Sequence, residues 1–309
     1  MFRDERSLLQ RRVAIVGVPL CDGERELGVE KAPAILREAG LLTAFRSGGF
    51  RDLGDLVLET PLRDRIVGKV RNTDHVVNSC RRVRRIVASA AREGNLPLVI
   101  GGDCSLFPGS LAGVVDVHDR VGVLYVDGHA DFHTPETTIS GYFSGMSLAA
   151  AVGMGQEELV RIGKSFPLLR EEDVSAFGVK ASNFDASELQ TLKASRVNFF
   201  TSESLKRDGI ISSLQAATKS LPTPLYLHFD VDVMDAVEMP ALAGMRAGVH
   251  HRGGLTRIEV SSLCDGLAGL PLAGIDITLY DPNLDPDRTY ARVIIEIVRK
   301  ILPNRLSGP

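Results

Sequence analysis

Short apolar runs alternate with amphipathic segments along most of this chain. Continuous apolar strands that are separated by helices are typical of a mainly parallel sheet covered on both faces. The pattern therefore predicts an α/β fold. The runs are VAIVGV from Val13, LPLVI from Leu96, VGVLYV from Val121, VNFF from Val197, LYLHF from Leu225 and LAGIDI from Leu272.

Three segments have apolar residues at helical spacing. They extend from about Thr73 to Arg92, from just after Thr256, and from about residue 286 to 302. No repeat, linker or low-complexity tract divides the chain, so residues 1–309 are predicted to form one domain.

Basic residues in the first segment lie among apolar residues three and four positions apart, which predicts a solvated helix face rather than a phosphate-binding patch. These residues are Arg81, Arg82, Arg84 and Arg85.

Composition and charge narrow the function classes. Charged residues make up 24% of the chain and the formal net charge is -3, which argues against nucleic acid as a partner. No apolar stretch approaches membrane-spanning length, and the first residues lack the apolar core of a secretion signal, so a cytoplasmic protein is expected. The cysteines have no paired spacing and fit free thiols in a reducing compartment. They are Cys21, Cys80, Cys104 and Cys264.

Three of the predicted strands end in unusually polar sequence. The segments are GGDCS at 101–105, DGHADFHTPETT at 127–138 and HFDVDVMD at 228–235. Ligands of parallel sheets bind beyond the carboxyl ends of the strands. Because side chains alternate along an extended strand, Asp127, His129 and Asp131 are predicted to share one face, and Asp230 and Asp232 another common face.

Carboxylates and an imidazole that converge at one sheet edge would repel one another in a desolvated cleft, and divalent cations remove that repulsion. Oxygen-rich ligation with imidazole suits Mn²⁺ better than a structural zinc site. Two such ions would supply a nucleophile at neutral pH. The alternative interpretation is that the carboxylates are caps and turn formers. Two clusters, each directly after an apolar strand, favour the metal site.

The three polar segments resemble, in order, the metal motifs of the ureohydrolases, the family of arginase, agmatinase and formimidoylglutamase. Residues 17–42 and DLGDL from Asp52 also resemble the opening of arginases. The resemblance spans nearly the whole chain. It implies a three-layer α/β/α sandwich with a mainly parallel sheet, two Mn²⁺ per chain, hydrolysis of a C–N bond in a guanidino or formimino compound, and a homotrimer or homohexamer.

The same resemblance implies a set of metal ligands. Asp127 and Asp230 would bridge the two ions, His129 and Asp232 would complete one site, and Asp131 would complete the other. The sixth ligand of the family is a histidine, and this chain has Cys104 there. Two interpretations of Cys104 stay open. It is either a thiolate ligand that favours Zn²⁺ or Fe²⁺, or a small buried residue that leaves its ion weakly held.

Other departures from the family concern catalysis and substrate. Ser144 stands where arginase has a histidine near the leaving amine, and Leu279 where arginase has a glutamate that pairs with the guanidinium. A hydroxyl is a poor proton carrier at neutral pH and leucine offers no salt bridge, so unmodified arginine is a doubtful substrate. The candidate catalytic residues are Asp131, His133 and Ser144. The candidate substrate-binding residues are His133, Ser140, Tyr142, Asp185 and Glu188.

The cysteine and the sequence TPETT with the later GY and GM also resemble ureohydrolases that act on N-hydroxy-arginine. Such a substrate is less basic than arginine, and its leaving group depends less on protonation by the enzyme. Formimino compounds are a second candidate class, and a catalytically silent metal-binding protein is the rival function. Because the carboxylate and imidazole set costs stability without metal, it favours an enzyme. No glycine-rich phosphate loop follows the first strand, which argues against nucleotide binding.

Overall fold

A parallel sheet of eight strands forms the centre of the fold. The computed structural model describes residues 11–21, 28–45, 49–59, 65–183, 185–243 and 252–303. The sheet order is β2-β1-β5-β10-β9-β6-β7-β8, and β3 and β4 form a separate antiparallel pair. The strands are β1 (Val13–Val18), β2 (Phe50–Asp55), β3 (Ile66–Val67), β4 (Val70–Arg71), β5 (Leu96–Gly101), β6 (Gly122–Val126), β7 (Val174–Val179), β8 (Asn198–Thr201), β9 (Leu225–Asp230) and β10 (Leu272–Thr278).

Helices connect the strands. The α-helices are α1 (Ala32–Glu38), α2 (Thr73–Arg92), α3 (Phe107–Val115), α4 (Ser147–Ala151), α5 (Glu157–Val160), α6 (Ala186–Ala194), α7 (Ser202–Asp208), α8 (Ile210–Thr218), α9 (Arg257–Leu267) and α10 (Thr289–Ile301). Short 3-10 helices cover Val29–Lys31, Leu42–Ala44, Cys104–Leu106, Ser144–Met146, Glu171–Asp173, Ala181–Asn183, Val231–Val233 and Pro282–Leu284. Among the described residues, no helix is both long and apolar enough to cross a bilayer.

Alternate residues of the strands enter two hydrophobic clusters, one on each face of the sheet. In β6, Leu124 and Val126 belong to the cluster that contains residues of α8, α9 and α10, whereas Val123 and Tyr125 belong to the cluster that contains residues of α2, α3 and α4. Two helical layers therefore enclose the sheet, as the period of two along a strand requires. This confirms the predicted three-layer α/β/α sandwich.

The apolar runs and helical patterns of the sequence correspond to observed elements. Helix α2 has the predicted bounds, and α10 begins three residues later than expected. Three of the basic residues on α2 are exposed, namely Arg81, Arg82 and Arg85. Arg84 makes a bidentate ion pair with Asp116 at 2.9 and 3.0 Å. The basic run is therefore a solvated helix face, as predicted. Strands β2 and β7 were not predicted from the apolar runs.

The sheet order brings polar strand ends together. Strands β5, β10, β9 and β6 are neighbours in the centre of the sheet, so their carboxyl ends lie side by side. Gly102 lets the segment after β5 pack closely, because a Cβ there would lie 1.7 Å from the carbonyl oxygen of Leu20. The Gly102 N–H donates to the Val18 carbonyl at 3.0 Å. This contact places Cys104 over the sheet edge.

Candidate metal centre

The polar segment after β6 is a loop rather than an extended strand. Strand β6 ends at Val126, and Asp131 has a left-handed backbone with a φ of 48°. The prediction that Asp127, His129 and Asp131 alternate along a strand is therefore wrong. Aspartate tolerates this backbone region better than most residues, so the turn is compatible with the sequence. Asp127 and His129 still reach one site, whereas Oδ2 of Asp131 is hydrogen-bonded to the Tyr125 and Ser147 hydroxyls.

One group of possible metal ligands lies between β5, β6 and β9. Cys104, Asp127, His228 and Asp230 are all buried and each offers a ligand atom within 4.8 Å of the others. The Cys104 thiol donates a hydrogen bond to Asp230 Oδ2 at 2.9 Å, and the Thr278 hydroxyl donates to the same oxygen at 3.0 Å. We call Cys104, Asp127, His228 and Asp230 the cysteine group.

A second group shares Asp127 with the first. Asp127, His129 and Asp232 also offer ligand atoms within 4.8 Å of one another. His129 Nδ1 lies 2.8 Å from Asp232 Oδ2 and 3.7 Å from Asp127 Oδ1. The backbone N–H groups of Gly128 and His129 donate to Asp232 and Asp127 at 3.0 and 2.6 Å, which fixes both carboxylates. These three residues form the histidine group.

Unsatisfied buried atoms support the presence of a cation site. Asp127 Oδ2 and His228 Nε2 have no hydrogen-bond partner in the described part of the chain, and they lie 3.6 Å apart. Buried polar atoms are rarely left in this state. A divalent cation would satisfy a carboxylate oxygen and an imidazole nitrogen together. The oxygen, nitrogen and sulfur donors present therefore fit a metal centre.

The protein groups alone shift the pKa values of this cluster strongly. Burial, followed by Asp230, raises the pKa of the Cys104 thiol well above its usual range. Burial, followed by Asp232 and Asp127, raises the pKa of Asp230 as well. These shifts express the cost of placing several negative charges in one buried site. A bound cation would oppose them and favour the anionic ligands.

Both imidazoles have pKa values raised well above the usual range. Burial lowers the pKa of His129, but the Asp232 and Asp127 carboxylates together outweigh burial. Burial likewise lowers the pKa of His228, and Asp276 and Asp127 outweigh it. In each case carboxylates stabilise the protonated imidazole. A cation bound at the site would compete with that proton for the same carboxylates.

Asp131 lies outside both groups found within the described ranges. Its Oδ2 accepts hydrogen bonds from the Tyr125 hydroxyl at 2.5 Å and from the Ser147 hydroxyl at 3.3 Å. Burial and then the charge of Asp127 raise the pKa of Asp131 well above its usual range. Asp131 is thus electrostatically part of the centre, but its Oδ2 is committed to protein hydroxyls.

A second polar cluster forms around His133. Its Nε2 lies 3.0 Å from Asp185 Oδ2 and 3.9 Å from Glu188 Oε2, and its Nδ1 lies 3.2 Å from the Thr137 hydroxyl. Asp185 caps helix α6 by accepting from the Ser187 and Glu188 N–H groups. Burial raises the pKa of Glu188, although the Phe132 N–H donates to it. The structure therefore brings together three of the predicted substrate-binding residues.

The other predicted residues occupy the neighbouring loop. Ser144 begins a 3-10 helix, and the next carbonyl, that of Gly145, accepts the His133 N–H at 3.1 Å. Ser140 is exposed, and its hydroxyl accepts the Tyr142 N–H at 3.2 Å. The Arg71 guanidinium lies 5.0 Å from the centre of the Tyr142 ring.

Leu279 stands at the end of β10 with an unusual backbone. Its φ of 73° is left-handed, which is rare for a bulky residue. Its N–H donates to the Gly102 carbonyl at 2.8 Å, so the backbone is tied to the segment that holds Cys104. The side chain is partly buried and brings no charge to this end of the sheet.

Sequence reasoning gave no role to His228. It lies two residues before Asp230 in the same strand, and that spacing was the available signal, because residues two apart share a face. The run LYLHF instead indicated only a buried strand. Its carboxylate partner, Asp276, lies on the neighbouring strand β10 and is far away in sequence.

The fold and this cluster define a ureohydrolase type of α/β protein with a candidate metal centre. Residues 11–303 match the arginase family, and the chain belongs to that family. The arginase of Brevibacillus brevis is 28% identical, with 96% of this chain and 100% of the relative covered. Human arginase-1 is 31% identical, with 90% and 87% covered. The solved arginase of Bacillus caldovelox superposes with a TM-score of 0.87 at 28% identity, covering 94% and 98% of the chains. The predicted ureohydrolase family and hydrolase class are confirmed.

Proposed function

We propose that this protein hydrolyses a C–N bond of a guanidino-type compound less basic than arginine, with a hydroxyguanidine such as N-hydroxy-arginine as the first candidate. The observation that carries the proposal is the pair of ligand groups that share Asp127, together with the uncharged Leu279 nearby. A protonated guanidinium is best recognised by a carboxylate that binds it in two places. A less basic amidine does not require that partner.

Divalent cations would be held by the two ligand groups. The histidine group, with two carboxylates and an imidazole, suits Mn²⁺, and the thiol of the cysteine group favours a softer ion such as Zn²⁺ or Fe²⁺. When bound, such ions supply Lewis acidity and make water nucleophilic at neutral pH. We assign Asp131 to orient the attacking water, because the Tyr125 and Ser147 hydroxyls fix its carboxylate.

His133 is the proposed proton carrier. Water adds to the amidine carbon, the C–N bond then breaks, and the leaving nitrogen must receive a proton. Ser144 is a poor donor at neutral pH, whereas an imidazole is suited to this step. His133 is joined to the Ser144 loop through the Gly145 carbonyl, and Asp185 lies 3.0 Å from its Nε2, where it can stabilise the imidazolium.

The same cluster is proposed to bind the non-reacting end of the substrate. Asp185 and Glu188 offer negative charge to an ammonium group, and the hydroxyls of Ser140 and Tyr142 offer hydrogen bonds to a carboxylate. An amino acid with a modified guanidino side chain matches both halves of this arrangement.

A substrate panel tests the proposal. The protein is stripped with chelator, reloaded with Mn²⁺ alone or with Mn²⁺ together with Zn²⁺ or Fe²⁺, and assayed with L-arginine, N-hydroxy-L-arginine, agmatine and formiminoglutamate. We expect kcat/KM for the hydroxyguanidine to exceed that for L-arginine by about 100-fold, because a hydrogen bond to a charged group contributes about 1.5 to 3 kcal/mol and Leu279 offers none to a guanidinium. Efficient release of urea from L-arginine would refute the substrate assignment, and no turnover of any compound would favour the catalytically silent alternative.

Matched variants test the residues. Asp127→Ala should remove both bound metal and activity, whereas Asp116→Asn, in the Arg84 ion pair, should keep both. His133→Gln should lower kcat by about 10²- to 10⁴-fold, because glutamine cannot pass a proton to the leaving nitrogen. An unchanged kcat in His133→Gln would refute the role of proton carrier.

A further inference from the structure

His228 is a buried imidazole to which the three metal motifs assign no role. It lies inside β9 and is fully buried. Because it precedes Asp230 by two residues, both side chains leave the strand on the same face. Its ring nitrogen belongs to the same set of neighbouring ligand atoms as those of Cys104, Asp127 and Asp230.

We propose that Nε2 of His228 is a metal ligand, so that the ion between Asp127 and Asp230 takes its imidazole from inside strand β9. The proposal rests on the metal centre of the proposed function. It gives the cysteine group one thiol, one imidazole and two carboxylates. This donor set favours Zn²⁺ or Fe²⁺ over Mn²⁺. The two ions of one chain would then differ in chemical identity.

The second nitrogen of His228 is held as metal-binding histidines usually are. Nδ1 donates a hydrogen bond to Asp276, and the same carboxylate accepts the Tyr226 hydroxyl. Tyr226 is in turn hydrogen-bonded to Ser110 at 2.6 Å. A carboxylate on the far side of a ligating imidazole fixes its tautomer and strengthens its basicity. Because Asp276 holds the proton on Nδ1, Nε2 of His228 is left without a proton and its lone pair is available to an ion in the cysteine group.

Aromatic packing fixes the plane of the ring. Tyr125 stacks on His228 with ring centres 4.0 Å apart and an interplanar angle of 17°, and Phe107 contacts the ring edge-on at 5.2 Å. The imidazole therefore has little freedom to turn Nε2 toward another partner. The hydroxyl of the stacked Tyr125 also donates to Asp131, which links the ring to the proposed catalytic carboxylate.

The separation between His228 and Asp127 fits shared coordination better than a hydrogen bond. His228 Nε2 and Asp127 Oδ2 lie 3.6 Å apart, beyond the usual hydrogen-bond range of about 2.7 to 3.2 Å. Two atoms that each lie about 2.1 Å from one ion are separated by about 3.4 Å in tetrahedral geometry. The rival interpretation is that His228 is an imidazolium whose charge balances Asp127 and Asp276. In that case the Nε2–H of His228 would be the donor and Asp127 Oδ2 the acceptor, and the two atoms are too far apart for a hydrogen bond.

Zinc titration of variants separates these interpretations. Chelator-stripped protein is titrated with Zn²⁺ alone, with a competing chelator to give affinities and elemental analysis to give ions per chain. His228→Gln should keep the ion of the histidine group and weaken the other by more than about 100-fold, and Asp276→Asn should weaken it by about 10- to 100-fold. His75→Gln, on helix α2, is the control and should match wild type.

X-ray absorption of the zinc-loaded wild type keeps the test independent of whether the variants fold. We expect about two imidazoles for two ions, from His129 and His228, and one imidazole would overturn the proposal. If wild type binds no zinc, the metal centre of the proposed function fails. If wild type and a folded His228→Gln both bind two ions with equal affinity, only the role of His228 fails.

Discussion

Replacing Asp127 with asparagine should change stability in opposite directions with and without metal. Ligand atoms in both groups lie within 4.8 Å of one another, and two unit charges at that distance repel by about 3.5 kcal/mol at an effective dielectric constant of about 20. Partial protonation, and the attraction of Asp127 to the protonated His129 and His228, offset much of this repulsion. We therefore expect chelator-treated Asp127→Asn to be more stable than wild type by about 1 to 2 kcal/mol. Asparagine keeps the oxygen that accepts the His129 N–H.

Added metal should reverse the order. An ion at about 1,000 times its Kd stabilises wild type by about 4 kcal/mol, which is about 6 °C in Tm for a chain of this size. The variant lacks the shared carboxylate and should gain less than about 1 kcal/mol. Differential scanning calorimetry, with and without chelator, measures both effects.

Asp116→Asn is the control for this comparison. It breaks the Arg84 ion pair and should lower Tm equally in both conditions. If Asp127→Asn were less stable than wild type without metal and still gained the full increment with metal, the electrostatic reasoning would be wrong.

Further predictions concern single positions around the centre. Cys104→His should raise Mn²⁺ occupancy toward two ions per chain by elemental analysis, because it replaces the soft thiol with a nitrogen donor beside that of His228; unchanged occupancy would contradict the preference of the thiol for softer ions. Gly102→Ala should cost about 2 to 3 kcal/mol in chemical denaturation because its Cβ would overlap the Leu20 carbonyl. Gly269→Ala, with nothing within 4 Å, should cost little. Tyr125→Phe should keep metal content but lower kcat, since it removes the hydroxyl bonded to Asp131; an unchanged kcat would refute that positioning role.

Much of the sheet could be predicted from the sequence, because its central strands are continuous apolar runs. Strand β2 could not, since FRDLGD lies at the sheet edge and is largely exposed. Its carboxylates Asp52 and Asp55 are instead paired with Arg37 on α1. In β7, the apolar run is interrupted by Ser175, whose buried hydroxyl donates to the Ala217 carbonyl on α8. Tertiary contacts thus satisfy polar groups that weaken a strand pattern.

The site residues that directly follow a strand could be predicted from the sequence. Those whose position depends on a backbone turn or on a partner far away in sequence could not. Asp127, Asp230 and Asp232 come together as expected from parallel strand ends. Asp131 lies outside the two groups with its Oδ2 bonded to the Tyr125 and Ser147 hydroxyls, although its charge still acts on Cys104. His228 received no role, because LYLHF indicated only a strand and the partner Asp276 is 48 positions away in sequence. Only the pairing of β9 with β10 puts that carboxylate behind the imidazole.

The sheet order also sets when the centre can form during synthesis. Strands β9 and β10 are made after β5 to β8, yet they insert between β5 and β6. A nascent chain that has emerged only through β8 contains Cys104 and His129 but lacks Asp230 and His228. Such non-local insertion is a slow event in folding. Cation loading must therefore wait for the last two strands, and a bound ion would mark a chain whose sheet is complete.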